Sequence, residues 1–305
     1  MRASSPRLRL YADLSIILLA VAWGGSFVLV KFALSDISPI LFLTLRFTIG
    51  TAALAALLGR RVRDIGAREW KAGLVTGACL AAGLVLQTIG LQSTTPAKSA
   101  FVTSMYIVTV PLLAALVYRI KPRWSEIGGV AAAGIGMMLL TLPPGKFTIE
   151  RGDILTLGGA VCFAFHIMAM SHYAPKIAYE ALALTQVAVV AAICGASFWW
   201  AETPFVRWSG ALAAAILFAG IVFTAVAFVA QSWAQQYTAA TRAALLFSME
   251  PVFAALYSHY LMGETLPARD IWGAALILAG VILVELKPVT SGPHPSKQAE
   301  AVLEL

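Results

Sequence analysis

Two ionisable side chains, Arg46 and Glu250, lie well inside long apolar runs of this 305-residue chain. An ionised group at the centre of a membrane helix costs roughly 2.5 to 3.5 kcal/mol on insertion scales, so such groups face a cavity or a partner. Two roles fit Glu250. As a cavity carboxylate it contacts a bound amine or takes up and releases a proton; as a structural group it pairs with Arg46, with Pro251 loosening the local helix. Arg46 reads as a structural or gating residue, because a guanidinium suits a buried network of several hydrogen bonds. Lys98 and Arg242 either anchor helix ends by reaching for the membrane interface or attract anionic groups at two cavity mouths.

Neutral polar groups form a second set. Gln87 and Gln231 fall within apolar runs, where each amide needs partners, and they fit either hydrogen bonding to a bound solute or glue between helices. Trp23, Tyr106, Phe163 and Trp233 fit an aromatic cavity wall or ordinary packing. Ser26 and His166 raise the alternative of an intramembrane Ser/His hydrolase. No GxSxG accompanies them and no third orienting residue is evident, so His166 reads better as a hydrogen-bonding group in a cavity or a packed neutral histidine. Cys79, Cys162 and Cys194 form no close pair, the four histidines form no HExxH, and neither GxGxxG nor GxxxxGK[ST] occurs. The expectation is therefore no catalytic residue, no metal and no cofactor.

The elements that must position these groups are membrane helices. The chain is 60% hydrophobic and 12% charged, too little polar surface for a water-soluble globule of this size. Ten apolar runs have about the 20 residues needed to cross a bilayer as helix, at roughly 14–34, 39–58, 70–91, 97–118, 125–142, 153–173, 179–200, 208–232, 240–262 and 268–286. None shows the two-residue alternation of a membrane β-barrel, and an isolated span must satisfy its own backbone. The arginines before the first run mimic a secretory signal, but the run continues unbroken to Leu34. With the N-terminus inside, fifteen Lys and Arg lie on the cytoplasmic side and six outside, which places both termini in the cytoplasm of a bacterial-type inner membrane. The net charge of +7 is thereby explained without nucleic acid. The expected partners are a small-molecule substrate, the lipid bilayer and, through glycine-lined final helices, a possible second copy of the chain.

Sliding the chain against itself gives ordered matches at shifts of 140 to 144 residues. Asp13 falls on Asp153, Ser26 on His166, Arg46 on Gln186, Gln87 on Gln231, Thr94 on Thr238, Lys98 on Arg242 and Ser104-Met105 on Ser248-Met249. PLLAAL from Pro111 matches PVFAAL from Pro251 at 140, which implies that the fourth run carries one extra helical turn. Five spans per half is an odd number, so the second half is inserted upside down relative to the first. The division is 1–142 for the first repeat, 143–152 for a linker, 153–287 for the second repeat and 288–305 for a disordered cytoplasmic tail.

WGGSF at Trp23 to Phe27, Arg46, the stretch from Ser99 to Leu116 and the stretch from Met249 to Glu264 resemble the drug/metabolite transporter superfamily, specifically its EamA-like family. The resemblance covers nearly the whole chain. It implies an all-α membrane protein of ten helices in two inverted five-helix repeats, and export of amino acids or other small metabolites. With no ATPase motif, the expectation is a secondary-active transporter working by alternating access, with proton coupling as one option and solute uptake as another direction.

Overall fold

The computed structural model describes residues 6–118, 124–141, 150–263 and 267–285. The first half of the chain forms α1 (Pro6–Ala33), α2 (Pro39–Leu58), α3 (Ala67–Leu91), α4 (Pro96–Thr103), α5 (Tyr106–Tyr118) and α6 (Trp124–Thr141). The second forms α7 (Arg151–Tyr173), α8 (Tyr179–Ala201), α9 (Gly210–Gly220), a π-helical segment (Ile221–Val226), α10 (Ala227–Ala234), α11 (Ala240–Phe247), α12 (Glu250–Met262) and α13 (Ala268–Glu285). Among the described residues no strand forms beyond one isolated antiparallel bridge, Ile37 to Val206. The expected tail at 288–305 and most of the linker lie outside the described residues.

Local chemistry sets the helix ends. Proline occupies the first turn of α2 and α4, where its missing N–H costs nothing, and the Thr95 side chain accepts from the Lys98 amide to cap α4. The start of α2 is capped from a distance: the Glu202 carboxylate, just past α8, accepts from the Ile40 and Leu41 amides and from the Ser38 hydroxyl. α12 ends on Gly263 in the left-handed conformation, φ 70°.

Seven stretches among the described residues are long and apolar enough to cross a bilayer, running from Pro6–Ala33 to Gly210–Ala234. Their outward faces carry large apolar side chains, such as Leu116 at 76% and Leu57 at 74% exposure. Such a surface is unstable against water and suited to lipid. The helices interdigitate across the halves: α3 packs on α7 and α8, α2 on α8, α1 on α10 and α12, and α6 on α13. A Cβ on Gly136 would stand 2.5 Å from the Gly273 carbonyl, and one on Gly280 would stand 2.6 Å from that of Gly129. The glycines of the two final helices thus let their backbones touch, the closeness that small residues permit in membranes.

Three features depart from the sequence reading. The fourth and ninth runs are each broken in two, by turns at Ser104-Met105 and Ser248-Met249. Pro251 reinforces the second break, since it cannot donate to Phe247 and its ring crowds that carbonyl; Ile107 holds the corresponding place in the first, so the break forms without a proline as well. The breaks fall 144 residues apart and the helices after them start at Tyr106 and Glu250, also 144 apart. The extra turn implied by aligning Pro111 with Pro251 is therefore absent: Pro111 lies inside α5, whereas Pro251 lies in the first turn of α12. The π-helical segment, invisible in the apolar pattern, is the third departure.

Candidate functional site

A cavity of about 80 Å³ lies where the halves meet. α1 lends it Trp23, Ser26 and Phe27, α2 Arg46, and α3 Leu80, Leu84 and Gln87. Thr103 and Tyr106 flank the first break and Phe247 and Glu250 the second, while α7 adds Phe163, His166 and Ile167, and α10 adds Phe228 and Gln231. The volume is enough for several waters.

Each charged or polar group is held by identifiable neighbours. Arg46 Nε donates to Thr224 Oγ1 at 2.8 Å and Nη2 donates to the Phe223 carbonyl at 3.0 Å, both in the π-helical segment. A π-turn changes the i→i+4 ladder and leaves carbonyls open to side chains. Phe223 also accepts from Trp23 Nε1 at 3.2 Å, and Trp23 stacks between Phe228 and Phe247, with ring centres 5.6 and 5.3 Å away. Close approach makes this possible: a Cβ on Gly50 would stand 2.7 Å from Thr224 Cγ2.

Arg46 forms no ion pair with Glu250, so the structural pairing considered from the sequence is not made; the ion pairs among the described residues lie elsewhere. Beside Glu250 lies Tyr106, its counterpart by the 144-residue offset, whose buried hydroxyl has no hydrogen bond of good geometry. Gln87 Nε2 donates to Thr103 Oγ1 at 2.8 Å. Gln231 Nε2 donates to Gln235 Oε1 at 3.0 Å, while Gln231 Oε1 is buried without a partner. His166 Nε2 and Gln186 Oε1 are 2.9 Å apart, and Gln186 Nε2 donates to Ser232 Oγ. Ser26 donates to the Trp23 carbonyl of its own helix, so Ser26 and His166 make no hydrogen bond to each other.

Of the residues singled out from the sequence, Trp23, Ser26, Gln87, Tyr106, Phe163, His166, Gln231 and Glu250 line the cavity, and Arg46 joins them. Trp233 does not. Two residues beyond Gln231 on α10, it points about 200° around the helix, and it meets Tyr237 edge to face with ring centres 5.5 Å apart. Phe27, Leu80, Leu84, Thr103, Ile167, Phe228 and Phe247 were missed. Helical spacing carries a signal for most of them: Phe27 follows Trp23 by four, Leu80, Leu84 and Gln87 follow at i, i+4 and i+7, and Phe228 precedes Gln231 by three.

Two further clusters flank the cavity. Asp13 of α1 accepts from Arg242 Nη2 at 2.7 Å and from Thr238 at 3.1 Å. Asp153 of α7 pairs with Lys98 Nζ at 2.6 Å and accepts from Thr94 at 3.1 Å. Every residue of one cluster is the sequence match of a residue in the other, and each cluster joins the first helix of one half to the start of a broken helix in the other. Lys98 and Arg242 are thus tied to carboxylates of the opposite half. Beside Lys98, a polar pocket of about 370 Å³ includes Lys31, whose ammonium donates to the Leu91, Gln92 and Thr94 carbonyls and so caps the end of α3.

Known proteins resemble this chain in sequence and in fold. A sequence profile described as the EamA-like transporter family matches residues 10–142 and again 150–286. An uncharacterised transporter of Archaeoglobus fulgidus is 35% identical over 279 residues, covering 92% of this chain and 87% of that protein. A protein of Streptantibioticus cattleyicolor named a probable terminal-alkyne amino-acid exporter is 25% identical, covering 88% of this chain and 92% of its own length. One crystal structure superposes with a TM-score of 0.76 at 20% identity, covering 93% of this chain and 98% of that one, a likeness of fold alone. With one family profile matched in each half and a curated transporter aligned along nine-tenths of the sequence, the chain belongs to the EamA-like transporter family.

Proposed function

We propose that the protein is a secondary-active exporter of amino acids or similar small polar metabolites, working by alternating access around the central cavity. The observation that carries this reading is a buried cavity lined from both halves by Arg46, Glu250, Gln87 and Gln231, with a matched clamp on either side of it. Groups of this kind are costly in a membrane and are retained where they meet a polar solute. In this reading the chain has ten spans in two inverted repeats, 1–142 and 153–287, with both termini on the cytoplasmic side of an inner membrane. The broken fourth and ninth spans and the π-helical segment of the eighth fit the discontinuous helices that build midplane sites in transporters. The exporter name of the Streptantibioticus relative supports an amino-acid-like solute and outward direction.

Lys98 and Arg242 act as gates: release of the Asp153 clamp opens one side, release of the Asp13 clamp the other. Both clamps are made together in this structure. Glu250 contacts the solute amine or carries a proton.

Purified protein reconstituted into liposomes and offered labelled amino acids and amines, with and without a pH gradient, tests the proposal. Saturable flux above that of empty liposomes is expected, and its absence across the panel overturns it. Glu250→Gln is expected to abolish flux or make it insensitive to the gradient while leaving the protein folded; wild-type flux and gradient response in that variant overturn the role of Glu250.

A further inference from the structure

Arg46 is 5% exposed, and no acidic side chain among the described residues pairs with it. Its setting holds one edge of the guanidinium and leaves the rest available. The Thr224 hydroxyl gives its own proton to the Ala219 carbonyl at 3.0 Å, so the lone pair it offers to Arg46 Nε is fixed in direction. The Phe223 carbonyl, held in the π-helical segment and shared with Trp23, receives Nη2. These bonds use two of five N–H donors, which leaves three on a side chain that lines the cavity. A neutral donor would have served for packing alone, at lower cost in a membrane. Gln186, which the repeat places opposite Arg46, is such a neutral group, and its Oε1 and Nε2 bond to His166 and Ser232. The cavity therefore presents a cation on one side only.

Glu250 lines the same cavity without ion-pair contact to Arg46, so an acidic and a basic side chain are kept apart around one pocket. The unpartnered Gln231 Oε1 is an acceptor suited to an ammonium group, and beside the polar Ser26, Gln87, Thr103, Tyr106 and His166 the wall offers an apolar face that includes Phe163, Phe228 and Phe247. We propose that Arg46 binds the carboxylate of the transported solute, and that this solute is a small zwitterion with an apolar side group, its ammonium directed to Glu250 and Gln231. The proposal rests on the cavity being the solute site of the reading above; it adds which residue reads the carboxylate, and it excludes amines without one.

Binding to the full chain, purified in detergent and followed by titration calorimetry, separates this claim from transport. The probes are L-phenylalanine and L-leucine, which carry both charges, phenethylamine, which has the amine alone, and 3-phenylpropionate, which has the carboxylate alone. The wild type is expected to bind the amino acids about ten-fold or more tightly than either single-charge probe. Arg46→Gln should weaken the amino acids about ten-fold or more and leave phenethylamine within about two-fold, the signature of a lost charge-assisted bond. An unchanged ratio of L-phenylalanine to phenethylamine in Arg46→Gln overturns the assignment, and so does a wild type that binds neither amino acid. If Arg46→Gln does not fold, Thr224→Val carries the test, because it frees Nε and keeps the charge: a selective loss for the amino acids supports the proposal, and an equal loss for all probes overturns it. Amino-acid binding that depends on Arg46, without flux in liposomes, instead defeats the transport reading and leaves the role of Arg46 standing.

Discussion

At Tyr106 a candidate binding group is visible in one atom. Its hydroxyl is buried and lines the cavity beside the Glu250 carboxyl. Tyr106→Phe removes the hydroxyl and keeps the ring. The expected outcome is a melting temperature in detergent close to that of the wild type, with solute affinity reduced several-fold. A fall in both stability and affinity would mark the hydroxyl as a structural bond instead. The neighbouring His166 differs: its ring is satisfied by Gln186, which is in turn satisfied by Ser232, so that chain of side chains belongs to the joint between α7, α8 and α10 as much as to the cavity. Gln87, Gln231 and His166 could all be chosen from the sequence because a polar side chain in an apolar run is conspicuous. Trp233 fits an aromatic wall or packing by its sequence, and it lies outside the cavity lining, against Tyr237; residue type does not say which, because an aromatic ring is at home in both.

At the scale of helices, the two clamps make the sharpest statement. Each joins a carboxylate on the first helix of one half to a hydroxyl and a cation at the start of a broken helix in the other, and both carboxylates are largely buried. Removing the charge from the carboxylate weakens the tie between the two helices; the cations are part exposed, at 19% for Lys98 and 27% for Arg242, so the loss is on the order of 1 kcal/mol. About 1.4 kcal/mol shifts a two-state population ten-fold. Asp13→Asn and Asp153→Asn are therefore expected to shift the protein toward opposite open states. Accessibility of single cysteines introduced at the two mouths, in a background lacking Cys79, Cys162 and Cys194, is the measurement: labelling should rise at one mouth in one variant and at the other mouth in its counterpart. Equal changes at both mouths in both variants would show the clamps to be fasteners rather than gates. The broken helices themselves were only half legible. Pro251 signals the break before α12, but the offset suggested by PLLAAL and PVFAAL was a coincidence of apolar letters, which the turns at Ser104-Met105 and Ser248-Met249 correct.

For the whole molecule, the outer surface and the charge distribution make one more prediction. Both termini are expected to report a cytoplasmic position when fused to compartment-sensitive reporters, because most of the cations fall on that side; termini in different compartments would contradict an even number of spans. Composition alone establishes that these helices meet lipid, since a chain 60% hydrophobic has no other solvent in which that surface is stable. The repeat was legible for a similar reason: ordered polar matches survive in an apolar background only where positions carry equivalent duties. Asp13 with Asp153, Thr94 with Thr238 and Lys98 with Arg242 were matched as letters, and only the fold shows that each trio is completed across the two halves. Hydrophobic periodicity records which residues avoid water, and it determined the class of protein and the approximate spans. It does not record which face of one helix meets which face of another, or where a backbone ladder changes to a π-turn. Those depend on packing between segments some 180 residues apart, as between Arg46 and Thr224, and it is the tertiary structure that decided the partners of Arg46 and of the two clamps.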